Sequence, residues 1–316
     1  MRLPQARRPR RLRARPTVSL RTSRLATFAL LAVTASWGVA FVWMKDAISQ
    51  EPFYSFLAVR FTIATAVMLA IRPKTLKKMN RGLLLRGGLL GLILGIAYIA
   101  QTIGLEQSTA AVTGFFTGLY VVLTPLLAYV LLKQGLSFKV LIGVVLATAG
   151  LALISIDGLT LANGIIPLLI CALLYALHIV GLGAWSKGLD TYALTVVQMS
   201  GVAVVCWACA IPAGFTPPPN ANVWSAVIFC ALFATAAAFF IQTWAQSIMD
   251  ASRVAIILTS EVVFAAGFAY AIGQEPVKAL TVFGGLVMIG AMLLVEWPSR
   301  KAKRDVVELG TDPMTH

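Results

Sequence analysis

Three ionisable side chains lie deep inside apolar stretches of this sequence: Arg60, His178 and Glu261. A charge in hydrocarbon is costly, so such groups usually face a cavity or a partner. Glu261 is a carboxyl able to carry a proton or to bind a substrate amine. The alternative is a neutral carboxyl bridging two helices. His178 is a second proton-coupling candidate, because imidazole is the side chain that titrates near neutrality. Its alternative is a structural histidine. Arg60, about two turns into its stretch, reads as a side chain that snorkels or pairs with Glu51 or Asp46 rather than one that binds anions.

Uncharged groups complete a candidate substrate-binding set. Gln101 and Gln242 carry amides, which both donate and accept and so suit amino and carboxyl groups. Trp37, Tyr98, Tyr120 and Tyr175 supply aromatic walls, and Tyr98 shares a helical face with Gln101 three residues on. Packing in lipid or core is the competing reading for each ring. Tyr54, Tyr192 and Trp297 fall at the ends of apolar stretches and read as interface anchors. Pro125 lies inside an apolar stretch, where it removes a backbone hydrogen bond. It is the gating candidate, with a static kink as the alternative.

The elements that must position these groups are repeated. Gln101 to Gly143 realigns on Gln242 to Gly284 at a shift of 141, with Gln101/Gln242, Thr102/Thr243, Val121/Val262, Tyr129/Tyr270 and Gly143/Gly284 identical. An earlier block realigns at a shift of 138, pairing Trp37 with Tyr175, Tyr54 with Tyr192 and Arg60 with Gln198. At these shifts Tyr120 pairs with Glu261, and Pro125 with Ala266, which predicts unequal bends in the two copies. The expected spans are 25–48, 53–72, 83–105, 109–132, 138–155, 163–187, 190–213, 222–247, 251–274 and 278–298. The fold class is therefore all-α integral membrane, ten helices as two five-helix repeats, 25–156 and 157–298. An odd number of crossings per repeat inverts the second copy, and inverted repeats build transporters with a site near the midplane. Gly87, Gly91 and Gly95, and Gly114 with Gly118, recur every fourth residue, the spacing that lets membrane helices approach closely.

Composition excludes a soluble fold. Hydrophobic residues make up 59% of the chain, charged residues 12%, and the mean hydropathy is +0.85, against roughly 25% charged residues in soluble domains. The net charge of +14 would suggest nucleic-acid binding if it were evenly spread. Instead nine of the 26 basic residues fall in the first 24 positions, and six more (Arg72, Lys74, Lys77, Lys78, Arg81, Arg86) lie between the second and third spans. That bias predicts cytoplasmic termini, membrane lipid as a partner and no nucleic acid. Residues 1–24 read as a basic, disordered tail, with a misplaced start or a targeting segment as alternatives. Residues 299–316 read as a second cytoplasmic tail. Cys171, Cys206, Cys209 and Cys230 all fall in apolar spans, and Cys206 and Cys209 lack the partners a metal site needs. No cofactor or metal is expected. The sequence leaves monomer and homodimer open.

Several segments in order resemble the drug/metabolite transporter superfamily, in its ten-helix EamA-like branch. The stretch WGVAFVWMKDAISQEP carries the pattern W-G-x-x-F-x-x-x-K at Trp37, Gly38, Phe41 and Lys45, followed by Pro52 and Arg60. GFFTGLYVVLTPLLAYVLL resembles the branch's fourth helix, and ASRVAIILTSEVVFAAGFAYAIGQEPV its ninth, with Glu261 and Glu275. The resemblance covers about residues 25–298 and implies a cavity lined by aromatics of helices one, three, four, six, eight and nine. Two positions depart from the pattern: Gln134 replaces a glutamate, and Val262 replaces the proline that often follows the ninth-helix glutamate, which leaves a bend there in doubt.

The expected function is a secondary transporter in the bacterial plasma (inner) membrane. It would export a small metabolite such as an amino acid by alternating access, with Glu261 and His178 as routes for proton coupling. The sequence has no phosphate-binding loop for ATP. The alternative is a carrier or flippase for lipid-linked or phosphorylated metabolites, which would need more cavity cations than Arg60 and Lys45. A membrane-embedded enzyme would need a paired nucleophile and base or a metal cluster, and no such motif appears.

Overall fold

The computed structural model describes residues 20–107, 110–155, 164–272 and 278–296. Most of the two tails, Asp157, Glu275, Pro276 and Trp297 lie outside them, as does the 156/157 boundary between the repeats. The described residues are helical and include no strand. The helices are α1 (Leu20–Ile48), α2 (Phe53–Ile71), α3 (Arg81–Gln107), α4 (Ala110–Gly118), α5 (Tyr120–Leu132), α6 (Phe138–Ser155) and α7 (Ile165–Trp185). They continue with α8 (Thr191–Ala210), α9 (Ala221–Ala231), α10 (Ala238–Ile248), α11 (Ala251–Leu258), α12 (Ser260–Ala271) and α13 (Ala279–Glu296). A 3-10 turn, Pro73–Lys78, links α2 to α3, and a π-helical stretch, Leu232–Ala237, joins α9 to α10. Leu20 to Arg24 belong to α1, so this helix includes residues of the stretch expected to be tail.

Among the described residues, seven helical segments are long and apolar enough to cross a membrane; Phe116–Leu132, Phe138–Leu153 and Ala279–Val295 are shorter apolar helices. Side-chain caps fix the starts of two corresponding helices. Asn80 Oδ1 accepts from Leu83 N–H at 2.9 Å before α3, and Asn220 Oδ1 accepts from Val223 N–H at 3.0 Å before α9, its counterpart in the second copy. Each cap satisfies an amide that the first turn leaves without a partner.

Cross-packing follows the repeat. α3 lies on α7 and α8, and its counterpart α9–α10 lies on α1 and α2; α5 packs on α7, and its counterpart α12 packs on α1; α6 packs on α13. Without a hydrophobic drive between helices in lipid, close van der Waals fit must hold such pairs. Small residues provide it. A Cβ on Gly91 would lie 2.5 Å from Gln198 O, one on Gly87 2.8 Å from Val197, and one on Gly95 2.8 Å from Val205. The glycines spaced by four on α3 therefore form the seam with α8.

Both copies interrupt this helix at a single residue, and neither interruption falls at Pro125 or its mate. The first interrupts its helix at Leu119, between α4 and α5; the second interrupts it at Thr259, between α11 and α12. Those positions differ by one residue from equivalence at the 141 shift. Pro125 lies further along, within α5, and its mate Ala266 lies inside unbroken α12, so neither break sits at a proline. Val262 itself lies inside α12, three residues past the interruption at Thr259. At the second break Thr259 Oγ1 donates to Ile256 O at 2.7 Å, a side-chain bond to the preceding turn that competes with the helix ladder.

Candidate functional site

The two helix breaks place Tyr120 and Glu261 just after them, and both residues line one cavity between the repeats. Its empty space is about 630 Å³, open mouth included, and seventeen residues line it. Trp37, Tyr98, Gln101, Tyr120, Tyr175, His178, Gln242 and Glu261 are all among them, so the structure brings the whole sequence-derived set together. Pro125 is not a lining residue. The remaining walls include Phe41, Met44, Arg60, Thr117, Ile179, Phe239 and Leu258.

The lining is built from equivalent positions. Trp37/Tyr175, Ala40/His178 and Phe41/Ile179 are mates at the 138 shift. Tyr98/Phe239, Gln101/Gln242, Thr117/Leu258 and Tyr120/Glu261 are mates at the 141 shift. Only Met44, Arg60 and Leu94 line the cavity without a lining mate. Phe239 and Thr117 are absent from the sequence-derived set, yet the shift points to them: Phe239 is the mate of Tyr98, and Thr117 lies three residues before Tyr120 on the same face.

Aromatic rings meet edge to face around the cavity. Tyr98 stands 5.8 Å from Tyr175 and 6.3 Å from Phe239, and Tyr120 stands 6.4 Å from Tyr175. Trp37 lies 5.7 Å from Phe239 with its ring tilted rather than edge-on. These separations fit the quadrupole preference of aromatic pairs, so the walls are mutually supported.

Hydrogen bonds fix the amides. Gln246 Nε2 donates to Ile179 O at 2.7 Å, so its Oε1 is the atom that accepts from Gln242 Nε2 at 3.1 Å. That leaves Gln242 Oε1, which is buried without a hydrogen-bond partner. Gln198 Nε2 points to Leu194 O at 3.3 Å, so Gln198 Oε1 faces His178 Nε2 at 2.9 Å. An acceptor there requires a proton on Nε2 of His178. His178 is 1% exposed and anchored by this bond, the structural role that sequence reasoning keeps open, and it still borders the cavity.

Arg60 departs from the sequence reading. It neither snorkels nor pairs with Glu51 or Asp46: it is 3% exposed and lines the cavity. Its Nε donates to Thr235 Oγ1 at 2.7 Å and its Nη2 to Ala234 O at 3.3 Å. The same Ala234 carbonyl accepts from Trp37 Nε1 at 2.8 Å. The reason is the π-helical stretch. Its wider turn shifts the local hydrogen-bond ladder and presents Ala234 O and Thr235 Oγ1 to α1 and α2. The equivalent stretch of the first copy, Gly91–Ile96, is plain helix inside α3. Nothing in LFATAA announces the π turn.

Among the described residues no group of three or more His, Cys, Asp or Glu side chains gathers as a metal would require. Cys171, Cys206 and Cys230 are buried free thiols, and Cys209 is a half-buried one. The arrangement offers binding surface and charge and lacks a nucleophile–base pair among the lining residues.

The sequence profile described as the EamA-like transporter family matches residues 24–156 and again residues 162–297. The chain belongs to the EamA-like transporter family. As an EamA-like protein it is a membrane protein with apolar transmembrane helices, and the family points to transport of a small molecule rather than catalysis. It is 29% identical over 272 residues to an uncharacterized transporter of Archaeoglobus fulgidus, with 85% of each chain covered. A protein known from a crystal structure shares the fold at 16% identity, with a TM-score of 0.74 over 90% of this chain and 99% of that one.

Proposed function

We propose that this EamA-like protein is a secondary transporter with ten membrane crossings, arranged as two inverted five-helix halves with both termini in the cytoplasm. It exports a small metabolite such as an amino acid from a bacterial cell by alternating access. The observation that carries this reading is the lining of the cavity by seven pairs of equivalent residues. A site shared equally by two opposed halves sits where one half can rock against the other and expose it to either side. The double match of the family profile supports the same division of the chain.

Glu261 and His178 are the proton-coupling candidates, and Glu261 is the better placed. His178 is committed to Gln198, whereas the Glu261 carboxylate has no hydrogen bond or ion pair with another described residue. The carrier or flippase for phosphorylated or lipid-linked metabolites is less well supported. Arg60 is the one lysine or arginine among the lining residues, and Glu261 shares the wall with it.

The test is transport in proteoliposomes with and without an imposed pH gradient. Gradient-driven movement that Glu261→Gln abolishes supports coupling through Glu261; full gradient dependence in that variant removes Glu261 from the role. Topology is tested by single cysteines at Gln50, Lys77 and Lys187. Lys77 and Lys187 should label from one side and Gln50 from the other. Labelling of Gln50 and Lys77 from the same side overturns the ten-crossing arrangement.

A further inference from the structure

We infer that the cavity takes a zwitterionic solute: its anionic group docks at Arg60, and its ammonium docks among Glu261, Gln242 Oε1 and Thr117 Oγ1. This rests on the transport reading and names the solute class for the same site.

Arg60 brings a guanidinium to the cavity wall. Its partners are a hydroxyl, a carbonyl and the Met44 sulfur, none of them anionic. The rings of Phe61 and Tyr98 lie 5.3 Å from its guanidinium carbon, which offsets part of the burial cost without neutralising the charge. Glu261 borders the same cavity and likewise has no ion pair with another described residue. Two opposite charges in one low-dielectric chamber gain most by being joined. Arg60 is instead tied to the π-helical stretch, and Glu261 stands near the start of α12, the second half of a broken helix.

The acceptor pole is reinforced independently of charge. Gln242 is 2% exposed, and its Oε1 has no partner because the chain of amides through Gln246 fixes the other end. Thr117 Oγ1, 7% exposed, has only the weakly bonding Cys171 thiol beside it. A buried acceptor without a strong donor is destabilising, and an ammonium supplies three donors. A guanidinium suits a carboxylate through two parallel hydrogen bonds. The aromatic walls then hold the apolar remainder of the solute.

The experiment compares near-isosteric probes on purified protein in nanodiscs by isothermal titration calorimetry. Leucine carries both poles, leucinamide lacks the anion, and 4-methylpentanoate lacks the amine; glycine, phenylalanine and glutamine extend the zwitterion set. At least one zwitterion should bind about tenfold or more tighter than its single-pole analogues, because a site built for polar groups rejects ligands that leave them unpaired. Arg60→Gln should erase the advantage over the amide, and Glu261→Gln the advantage over the acid. Arg60→Lys and Glu261→Asp, which keep the charges, should retain part of each. The wild-type comparison stands even if a variant fails to fold. The inference is overturned if no zwitterion binds, if the three leucine-type probes bind within threefold of one another, or if Arg60→Gln weakens all three equally. Counterflow in proteoliposomes separates the two readings. Transport of a solute lacking either pole sinks the zwitterion inference and leaves the transport reading standing. A zwitterion that binds and is not moved sinks the transport reading alone.

Discussion

Tyr175 donates its hydroxyl hydrogen to Gln101 Oε1 at 3.0 Å, linking α7 to α3 across the cavity. The equivalent pair, Trp37 and Gln242, forms no such bond, because the single indole donor of Trp37 is committed to Ala234 O. One substitution of aromatic type, together with one π turn, therefore leaves Gln242 Oε1 open where Gln101 Oε1 is filled. The site is symmetric in shape and asymmetric in hydrogen bonding.

Tyr175→Phe should remove that one bond and cost about 1 kcal/mol, the net worth of a neutral hydrogen bond. A thermal melt in detergent should fall by a few degrees. Tyr98→Phe is the control. The Tyr98 hydroxyl makes no hydrogen bond with another described residue, and its counterpart Phe239 is already a phenylalanine. An equal drop in both variants would show that loss of a hydroxyl from this wall, not the Gln101 bond, carries the effect.

Asp190 does two jobs at the start of α8. Its Oδ1 accepts from Ala193 N–H at 3.0 Å, and its Oδ2 receives Lys78 Nζ and lies 3.7 Å from Arg72 Nη2. Burial pushes its carboxyl up, but the Lys78 and Ala193 hydrogen bonds and the two cations outweigh that and hold it below the usual carboxylate range. A depressed carboxyl stabilises the fold at neutral pH, and that contribution disappears as pH falls through the depressed value. Asp190→Ala should cost about 1–2 kcal/mol by removing the cap. Asp190→Asn keeps a capping oxygen and loses only half-exposed ion pairs, so its cost should stay below about 1 kcal/mol. Melting both variants at neutral pH checks the order, and equal losses would mean that the ion pairs dominate.

The turn between α1 and α2 is the first-copy equivalent of the turn that bears Asp190. It is tied to the segment before α9 by Asn220 Nδ2 donating to Gln50 Oε1 at 2.9 Å and Thr216 N–H donating to Ser55 Oγ at 3.1 Å. Here the carboxyl is Glu51, 6% exposed, with neither oxygen hydrogen-bonded. Burial pushes its pKa up to about 7. The folded chain then keeps a proton that the unfolded chain releases near its ordinary value of 4.5. Stability should therefore fall as pH rises above that value and level off past about 7. Glu51→Gln removes the slope. The variant should melt above wild type at about pH 8, and the gap should close as the pH is lowered toward 4.5. A gap independent of pH would show that Glu51 is not the titrating group.

Much of this arrangement is legible in the sequence because the repeat is written in residue identities at two fixed shifts. Equivalence at those shifts singles out positions that converge, and every binding residue chosen for polarity or aromaticity at such positions borders the cavity. Arg60 escapes that reading because its partners are the backbone carbonyl and threonine of a π turn, and the LFATAA stretch carries no pattern that distinguishes a π turn from a regular one. Pro125 misleads for a related reason. Proline is a visible helix breaker, whereas the breaks at Leu119 and Thr259 carry no proline and fall just before Tyr120 and Glu261, which line the cavity.

The seam between α3 and α8 ties packing to the site, and glycine substitutions can separate the two faces of α3. A Cβ on Gly91 would stand 2.5 Å from Gln198 O and 3.0 Å from Gly201 Cα, both backbone atoms that cannot swing aside. Gly91→Ala must therefore push α8 outward, and with it Gln198, the residue that fixes His178. A Cβ on Gly88 meets nothing within 4 Å, so Gly88→Ala should be neutral or should stabilise by up to about 1 kcal/mol through helix propensity. Gly91→Ala should lower stability by about 1–3 kcal/mol, the usual range for overpacking, and weaken solute binding as well. Paired melts and binding isotherms check both effects. Wild-type behaviour in Gly91→Ala would show that the helices can separate freely, and would break the link between this seam and the cavity.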